Sequence, residues 1–295
     1  APESNLLPII HLTPDIQTQI RSNTPVKITK AIDSTTVLAD DGTIYALTGL
    51  DIPDDNTTAP LTLHRLAELT EGKTCTLYQT RNDTTGRTNR MNQMLGHLTC
   101  GKDDIWIQGA LIAAGLARVR TTPENTQQAS MMLILESGAR AAHLGLWANA
   151  QNAPLTPDTA TGHVNGFAVV EGRIYTVAQT HDAVFLNFST DWKSDFTIGI
   201  PNTLRTDFSK RRVDLFTLKG KSVRVRGWIR AYNGPYIELD HVDQLEILGD
   251  KMTKESTSPV SPTPEPSMMM HTISGPTAPE IEKPTIEKPD SPSLD

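Results

Sequence analysis

Apolar and polar positions along this chain follow two periods, and the places where the period changes divide it into elements. Val26–Ile32, Thr36–Ala39 and Thr43–Leu50 are short runs with turn formers between them, and Asp41-Gly42 is a hairpin signal. They predict three consecutive strands. From Leu61 to Leu69 the spacing lengthens: Leu61, Leu63, Leu66, Ala67 and Leu69 are apolar, as on one face of a helix. Thr74–Thr80 and Met94–Cys100 return to strand character on either side of the polar stretch Arg81–Gln93. Trp106–Ala117 and Thr126–Leu144 predict two helices, the first closing near Gly115 and the second running into Leu144-Gly145-Leu146-Trp147. Strands, a helix, more strands and two late helices predict a five-stranded OB-type barrel with helical additions.

The pattern then repeats more loosely. After a stretch rich in Ala, Pro, Thr and Asn, strand-like runs recur at Phe167–Thr180, Ala183–Phe188, Phe196–Ile200, Val223–Ile229 and Tyr236–Leu239, with Asn233-Gly234-Pro235 as a turn. Thr203–Val213 predicts a helix between the third and fourth strands, where an OB barrel usually has one. The expected organisation is mainly β with α: an N-terminal segment at 1–24, an OB-type domain at 25–148, a linker at 149–161, a second OB-like barrel at 162–248 and a tail at 249–295. The tail holds nine of the 20 prolines and repeats Ile-Glu-Lys-Pro at Ile281 and Ile286. Proline without apolar periodicity builds no core, so a disordered or extended strap is expected there.

Composition sharpens this picture in three ways. Hydrophobic residues make up 37% of the chain and aromatics 5%, which suits small β-rich cores. The net charge of −7 argues against a protein that binds nucleic acid through counterion release. No run of 18 apolar residues exists to span a membrane. The Ala1-Pro2 start fits a mature chain from which a signal peptide has been cut, so a periplasmic or secreted protein is expected. In that setting a lone cysteine pair is expected to be bridged. Facing residues of an antiparallel hairpin have a constant sum, and Cys75 with Cys100 centres the hairpin between Arg87 and Thr88, inside the polar turn. A Cys75–Cys100 disulfide is expected, two buried free thiols being the alternative.

The order of elements resembles the staphylococcal-nuclease-like (thermonuclease) family. Ile32-Asp33-Ser34-Thr35-Thr36-Val37 resembles its D-G-D-T-V turn, and Leu47-Thr48-Gly49-Leu50-Asp51-Ile52-Pro53-Asp54 its R-L-x-x-V-D-T-P-E strand end. Gly86-Arg87-Thr88-Asn89-Arg90-Met91-Asn92-Gln93 is similar to its G-x-x-T-D-R-Y-G-R loop. Trp106-Ile107-Gln108-Gly109-Ala110-Leu111 and Ala114-Gly115-Leu116-Ala117-Arg118-Val119 are similar to its helix and G-L-A-x-V. Glu136, Ala139-Arg140-Ala141 and Leu146-Trp147 are similar to its last helix and closing L-W.

The resemblance implies a chemistry of five groups: two carboxylates on Ca²⁺, a glutamate for the attacking water, and two arginines on the phosphate. Carried over residue by residue, most are replaced. The first metal carboxylate falls on Thr35 and the second on Asp51, which is kept. The glutamate falls on Asp54, one methylene shorter, and the first arginine on Ala46. The second falls on Gln93, unless Asp83-Thr84-Thr85-Gly86-Arg87 is the matching loop and Arg87 supplies it. No catalytic residue is therefore expected: Thr35, Ala46, Asp51, Asp54 and Gln93 are read as vestigial positions, with a weak Ca²⁺ site at Asp51 and Asp54 as the alternative to ordinary loop carboxylates. No other cofactor is expected.

The second region offers Lys210-Arg211-Arg212, Lys219, Lys221, Arg224 and Arg226 beside Phe185, Phe188, Trp192 and Trp228, but 11 Lys and Arg face 10 Asp and Glu over 162–248. A solvated basic face is the expectation, a nucleic-acid groove the alternative. His181, Asp182 and Ser189 lack a third partner for a triad. The sequence thus favours a non-enzymatic, exported subunit that contacts protein partners through its tail and barrel surfaces. A Ca²⁺-dependent nuclease and a single-strand nucleic-acid or oligosaccharide binder are the competing readings.

Overall fold

The computed structural model describes residues 7–13, 19–191 and 194–249. The first lobe contains β1 (Ile20–Ser22), β2 (Val26–Ala31), β3 (Thr36–Ala39), β4 (Ile44–Leu47), β5 (Gly49–Asp51), α1 (Thr58–Thr70), β6 (Thr74–Thr80), β7 (Met94–Cys100), β8 (Ile105–Trp106), α2 (Ile107–Ala113), β9 (Arg118–Arg120) and α3 (Ala129–Ala141). Strands β2, β3, β4, β7 and β6 follow one another in the sheet, and β6 returns to β2, which closes a five-stranded barrel. The β4–β7 pair is parallel and the others are antiparallel, the OB arrangement. Ile28, Val37, Leu77 and Leu98 fill the barrel, and Leu66 of α1 with Ile107 and Leu111 of α2 cover it. The expected disulfide is present: Cys75 and Cys100 pair directly across β6 and β7, their sulfurs 2.04 Å apart.

Three details depart from the periodicity. The N-terminal segment contributes β1, which pairs with β6 and buries Ile20. The helix expected to start at Trp106 starts at Ile107, because Trp106 pairs with Thr99 as a strand residue and donates its backbone N–H to Ile10 O. That helix stops before Gly115, whose φ of +70° is left-handed. A Cβ there would lie 2.2 Å from Leu144 O, so only glycine lets the α2 end meet the start of the closing turn.

The second lobe contains β10 (Phe167–Arg173), β11 (Thr176–Gln179), β12 (Ala183–Asn187), β13 (Thr197–Pro201), α4 (Arg205–Lys210), β14 (Ser222–Trp228), β15 (Arg230–Ala231), β16 (Pro235–Glu238) and β17 (Leu245–Leu248). One sheet has the order β11-β12-β13-β16-β15 and the other β10-β14-β17. Two bent segments, β10 into β11 and β14 into β15, run directly from one sheet into the other, so the ring closes through them. The single strand expected at Phe167–Thr180 is broken for this reason: Ile174 turns into the core and Tyr175 N–H joins Asn187 O of the other sheet. The β13–β16 pair is parallel, with α4 between the third and fourth strands of the ring, as in the first lobe. The 149–161 segment is held against this lobe, since Leu155 exchanges backbone hydrogen bonds with Val169 and Glu171, and Ala160 is buried. Apart from Gly249, the expected tail lies outside the described residues, as does Trp192.

The two barrels belong to one compact unit, and an ion network joins them. Arg226 of β14 is 1% exposed and forms a two-pronged pair with Glu136 of α3, at 3.0 and 2.9 Å. It also donates to Val119 O at 3.0 Å and to Glu246 at 2.6 Å. Burial opposes the Glu136 charge, but the adjacent Arg226 guanidinium prevails and holds the carboxyl below its usual range. Arg224 adds ion pairs to Glu171 and Glu246. Nearby, Thr121 and His241 meet at 2.7 Å across the same boundary. Among the described residues no helix is long and apolar enough to cross a membrane.

This arrangement generates two expectations. Arg226→Met leaves the Glu136 carboxylate buried without its partner and should lower unfolding free energy by about 3–5 kcal/mol in urea titrations. Adding Glu136→Leu should recover part of that loss, and a loss no smaller in the double variant would count against the pairing. The second concerns His97, buried in β7, where Nδ1 accepts from Trp106 Nε1 and Nε2 meets Gln127 O. Burial lowers its pKa from 6.5 to about 4. Between these values the unfolded chain binds a proton that the folded chain refuses, so the stability from this group is complete above pH 6.5 and is lost as pH falls to about 4. The loss should reach about 3 kcal/mol. His97→Gln should remove it from the pH dependence of the urea midpoint, and an unchanged slope between pH 6.5 and 5 would refute the assignment.

Candidate functional site

The turn between β2 and β3 is organised by Asp33. Its carboxylate accepts the backbone N–H groups of Thr35 and Thr36 at 2.8 and 2.9 Å and both threonine hydroxyls at 3.0 and 2.7 Å. Burial works against this charge, but the Thr36 and Thr35 hydrogen bonds outweigh it and keep the Asp33 carboxyl below its ordinary value. Thr35 therefore spends its hydroxyl hydrogen on its own turn. Beside it, Leu47 N–H donates to Thr35 O, and Ala46 pairs with Thr36 on one side and Leu95 of β7 on the other. Gln93 immediately precedes β7, whose first residue Met94 pairs with Tyr45. The barrel register thus brings the Thr35, Ala46 and Gln93 positions to the same end of neighbouring strands.

Gln93 is occupied by its own loop. Asn89 Nδ2 donates to Gln93 Oε1 at 2.7 Å, and Asn89 Oδ1 accepts from the backbone of Met91 and Gln93. Arg87, the alternative arginine, is turned back onto the base of the β6–β7 connection. Its guanidinium donates to Thr80 O and Arg81 O at 2.9 and 3.0 Å and pairs with Asp83.

Asp51 ends β5, which pairs with β9 so that Asp51 lies opposite Arg118. Arg118 donates to one Asp51 oxygen through Nε at 2.8 Å and Nη2 at 2.6 Å, and Arg120 stands 3.7 Å from the other. The two arginines also lie over the Phe167 ring at 5.6 and 5.3 Å, and Arg120 lies 5.9 Å from the Trp228 ring. Asp54 is exposed and lines a cleft of about 370 Å³ with Asp55, Leu116, Leu146 and Asn149, a cleft that Asp51 does not line. Asp55 caps α1 through the N–H groups of Thr57 and Thr58. Among the described residues, no group of three or more His, Cys, Asp or Glu is arranged to hold a metal ion.

Sequence reasoning missed the partners of Asp51. The signal was present: Arg118 and Arg120 alternate around Val119, so both fall on one face of any strand formed there. The basic residues of the second lobe are largely committed as well. Arg211 makes a two-pronged pair with Asp243 at 2.7 and 2.9 Å, Lys210 pairs with Asp207, and Arg224 and Arg226 are buried. Ser189 and Asp195 stabilise their own loop, with Asp195 accepting the N–H groups of Phe188 and Ser189.

Comparison with known proteins agrees with this geometry. The family described as Staphylococcal nuclease homologue matches residues 55–149, from the α1 cap to the closing turn. No curated protein matches the chain. Residues 55–149 are a staphylococcal-nuclease-like domain, and with β2, β3 and β4 before them they complete a barrel of OB strand order.

Proposed function

We propose that this chain is a non-catalytic binding and interaction subunit built on a nuclease fold, working in the periplasm or as a secreted protein. A staphylococcal-nuclease-like domain points to a nuclease-like or nucleic-acid-binding family, and the question is which side this member takes. The observation that carries our reading is the engagement of Asp51 by Arg118 and Arg120. A calcium ion needs several oxygen ligands, and its affinity rises with the carboxylates it finds. Here one former ligand position is the hydroxyl of Thr35, and the other is a carboxylate already neutralised by guanidinium groups. The residues present do not fit that ion.

The phosphate-binding side supports the same reading. A methyl group at Ala46 and an amide at Gln93 supply no charge for an oxyanion, and losing one such positioned donor removes roughly 10²–10³ in rate. Arg118 and Arg120 are spent on Asp51 and on two aromatic rings. The Cys75–Cys100 bridge favours an oxidising compartment. Protein partners would use the barrel surfaces and the proline-rich segment after residue 249.

A second reading, nucleic-acid binding without cleavage, draws on Arg120. Its side chain is 48% exposed and lies between Phe167 and Trp228, a pairing of cation and rings that suits stacked bases.

One assay separates these readings. Single-stranded DNA should be cleaved by the full chain in millimolar Ca²⁺ no faster than by its Asp51→Ala variant or by the chain in chelator. Calcium-dependent cleavage that disappears in Asp51→Ala would sink the proposal and restore a nuclease. Binding of the same DNA that weakens steeply with salt and is reduced in Arg120→Ala, without cleavage, would favour the second reading.

A further inference from the structure

The second barrel carries a groove of about 560 Å³ on the outer face of its larger sheet. Along β12, Val184 and Leu186 point into the core, so Phe185 and Asn187 point out into this groove. Tyr236 of β16 lies across β13. A Cβ at Gly199 would stand 1.8 Å from the Tyr236 hydroxyl oxygen, so the glycine is what lets the ring lie flat on the sheet. Tyr232 packs at 5.4 Å from Tyr236, centroid to centroid, and is itself 62% exposed, while Tyr175 is 49% exposed on the opposite wall.

The polar groups are also fixed. Asn187 Nδ2 donates to Thr176 Oγ1, and its Oδ1 accepts from Thr197 Oγ1 at 3.2 Å. Burial, with the Glu238 carboxylate that accepts its proton, pushes the Tyr236 phenol above its ordinary value, so it remains a neutral hydroxyl. None of the twelve lining residues is charged, and ten carry a hydroxyl or a side-chain amide.

We propose that this groove binds a neutral oligosaccharide. Each sugar ring presents an apolar C–H face, which lies well on an aromatic face, and a rim of hydroxyls that both donate and accept. The lining matches that chemistry group for group: four aromatic rings, and hydroxyl and amide groups of the same two-way character. A single-stranded nucleic acid finds no cation among the described lining residues for its phosphates, Arg230 opposite Tyr236 standing beside the lining rather than in it. A polyproline segment presents carbonyl acceptors and no N–H, and would leave most of these groups without a return partner. The OB architecture carries both oligonucleotide and oligosaccharide ligands, so the lining decides. The inference goes beyond the reading of the first barrel and does not rest on it, because the nuclease assay leaves this groove untouched.

The test titrates cellohexaose, maltohexaose and hexa-N-acetylchitohexaose separately into the full chain by calorimetry. At least one should bind with Kd below about 1 mM. Tyr232→Ala and Tyr175→Ala, both at exposed side chains, should each weaken that binding by at least about fivefold. Phe216→Ala, an exposed aromatic outside the groove, should leave it unchanged. Melting curves of the variants identify any that fail to fold. No heat from any of the three at about 5 mM would overturn the proposal, as would binding that survives both tyrosine substitutions. Capture of dT10 or of decaproline through Tyr232, in place of the sugars, would overturn it in favour of a nucleic acid or a polyproline ligand.

Discussion

A guanidinium as deeply buried as that of Arg226 is tolerable only beside carboxylates that offset its charge, because removing such a charge from water costs several kcal/mol. The partners come from elements far apart in sequence: Glu136 on α3, Val119 on β9 and Glu246 on β17. This requirement fixes more than one contact. Val119 gives its N–H to Glu136 and its carbonyl to Arg226, so the two successive peptide groups that flank the middle of β9 are both held. Strand alternation then carries Arg118 and Arg120 to the other face, where β5 presents Asp51. The pairing that seats the second barrel on the first therefore also places the two arginines that Asp51 meets. One network links lobe association to pocket electrostatics.

The two barrels share a ring order but treat charge differently on their ligand-facing surfaces. In the first, ionisable groups are cancelled internally: Asp51 by two arginines, Arg87 by Asp83 and carbonyls, Asp33 by its own turn. In the second, none of the described lining residues is charged, although Glu238 accepts from the Tyr236 hydroxyl, and Arg226 is drawn to the lobe boundary. Among the described residues that line them, neither surface leaves a row of free cations, which is consistent with a chain of net charge −7.

Legibility in the sequence followed the range of the interaction. Strand and helix periods gave both OB rings, and the constant sum of an antiparallel hairpin gave the Cys75–Cys100 register, because these depend on local alternation and on one turn. The break at Ile174 was hidden, since a strand that crosses from one sheet to another keeps its alternation while changing partners. Arg224 and Arg226 misled for a related reason. Alternating with Val223 and Val225, they read as the solvent side of a strand, whereas that side is the lobe boundary. Nothing in β14 announces that its counter-charge sits on a helix 90 residues earlier. The family resemblance could name Thr35, Ala46 and Gln93 only as candidate positions, and it gave none of their hydrogen-bond partners.

On the proposed reading, the residues at Thr35, Ala46, Asp51 and Gln93 can be understood from the energetics of the fold alone. A calcium site needs carboxylates held close together without internal partners, and a phosphate clamp needs arginines held the same way; both store repulsion or desolvation in the unliganded protein. Thr35 and Ala46 carry no such cost: one lies in the turn before β3, and the other is buried within β4, where a methyl group packs without a partner. Asp33 and Asp51 each have a structural task that needs a carboxylate, one ordering a turn and the other neutralising two arginines beside a buried network. On the proposed reading, their charge is explained without any reaction, and the pocket is a set of solved electrostatic problems within the fold.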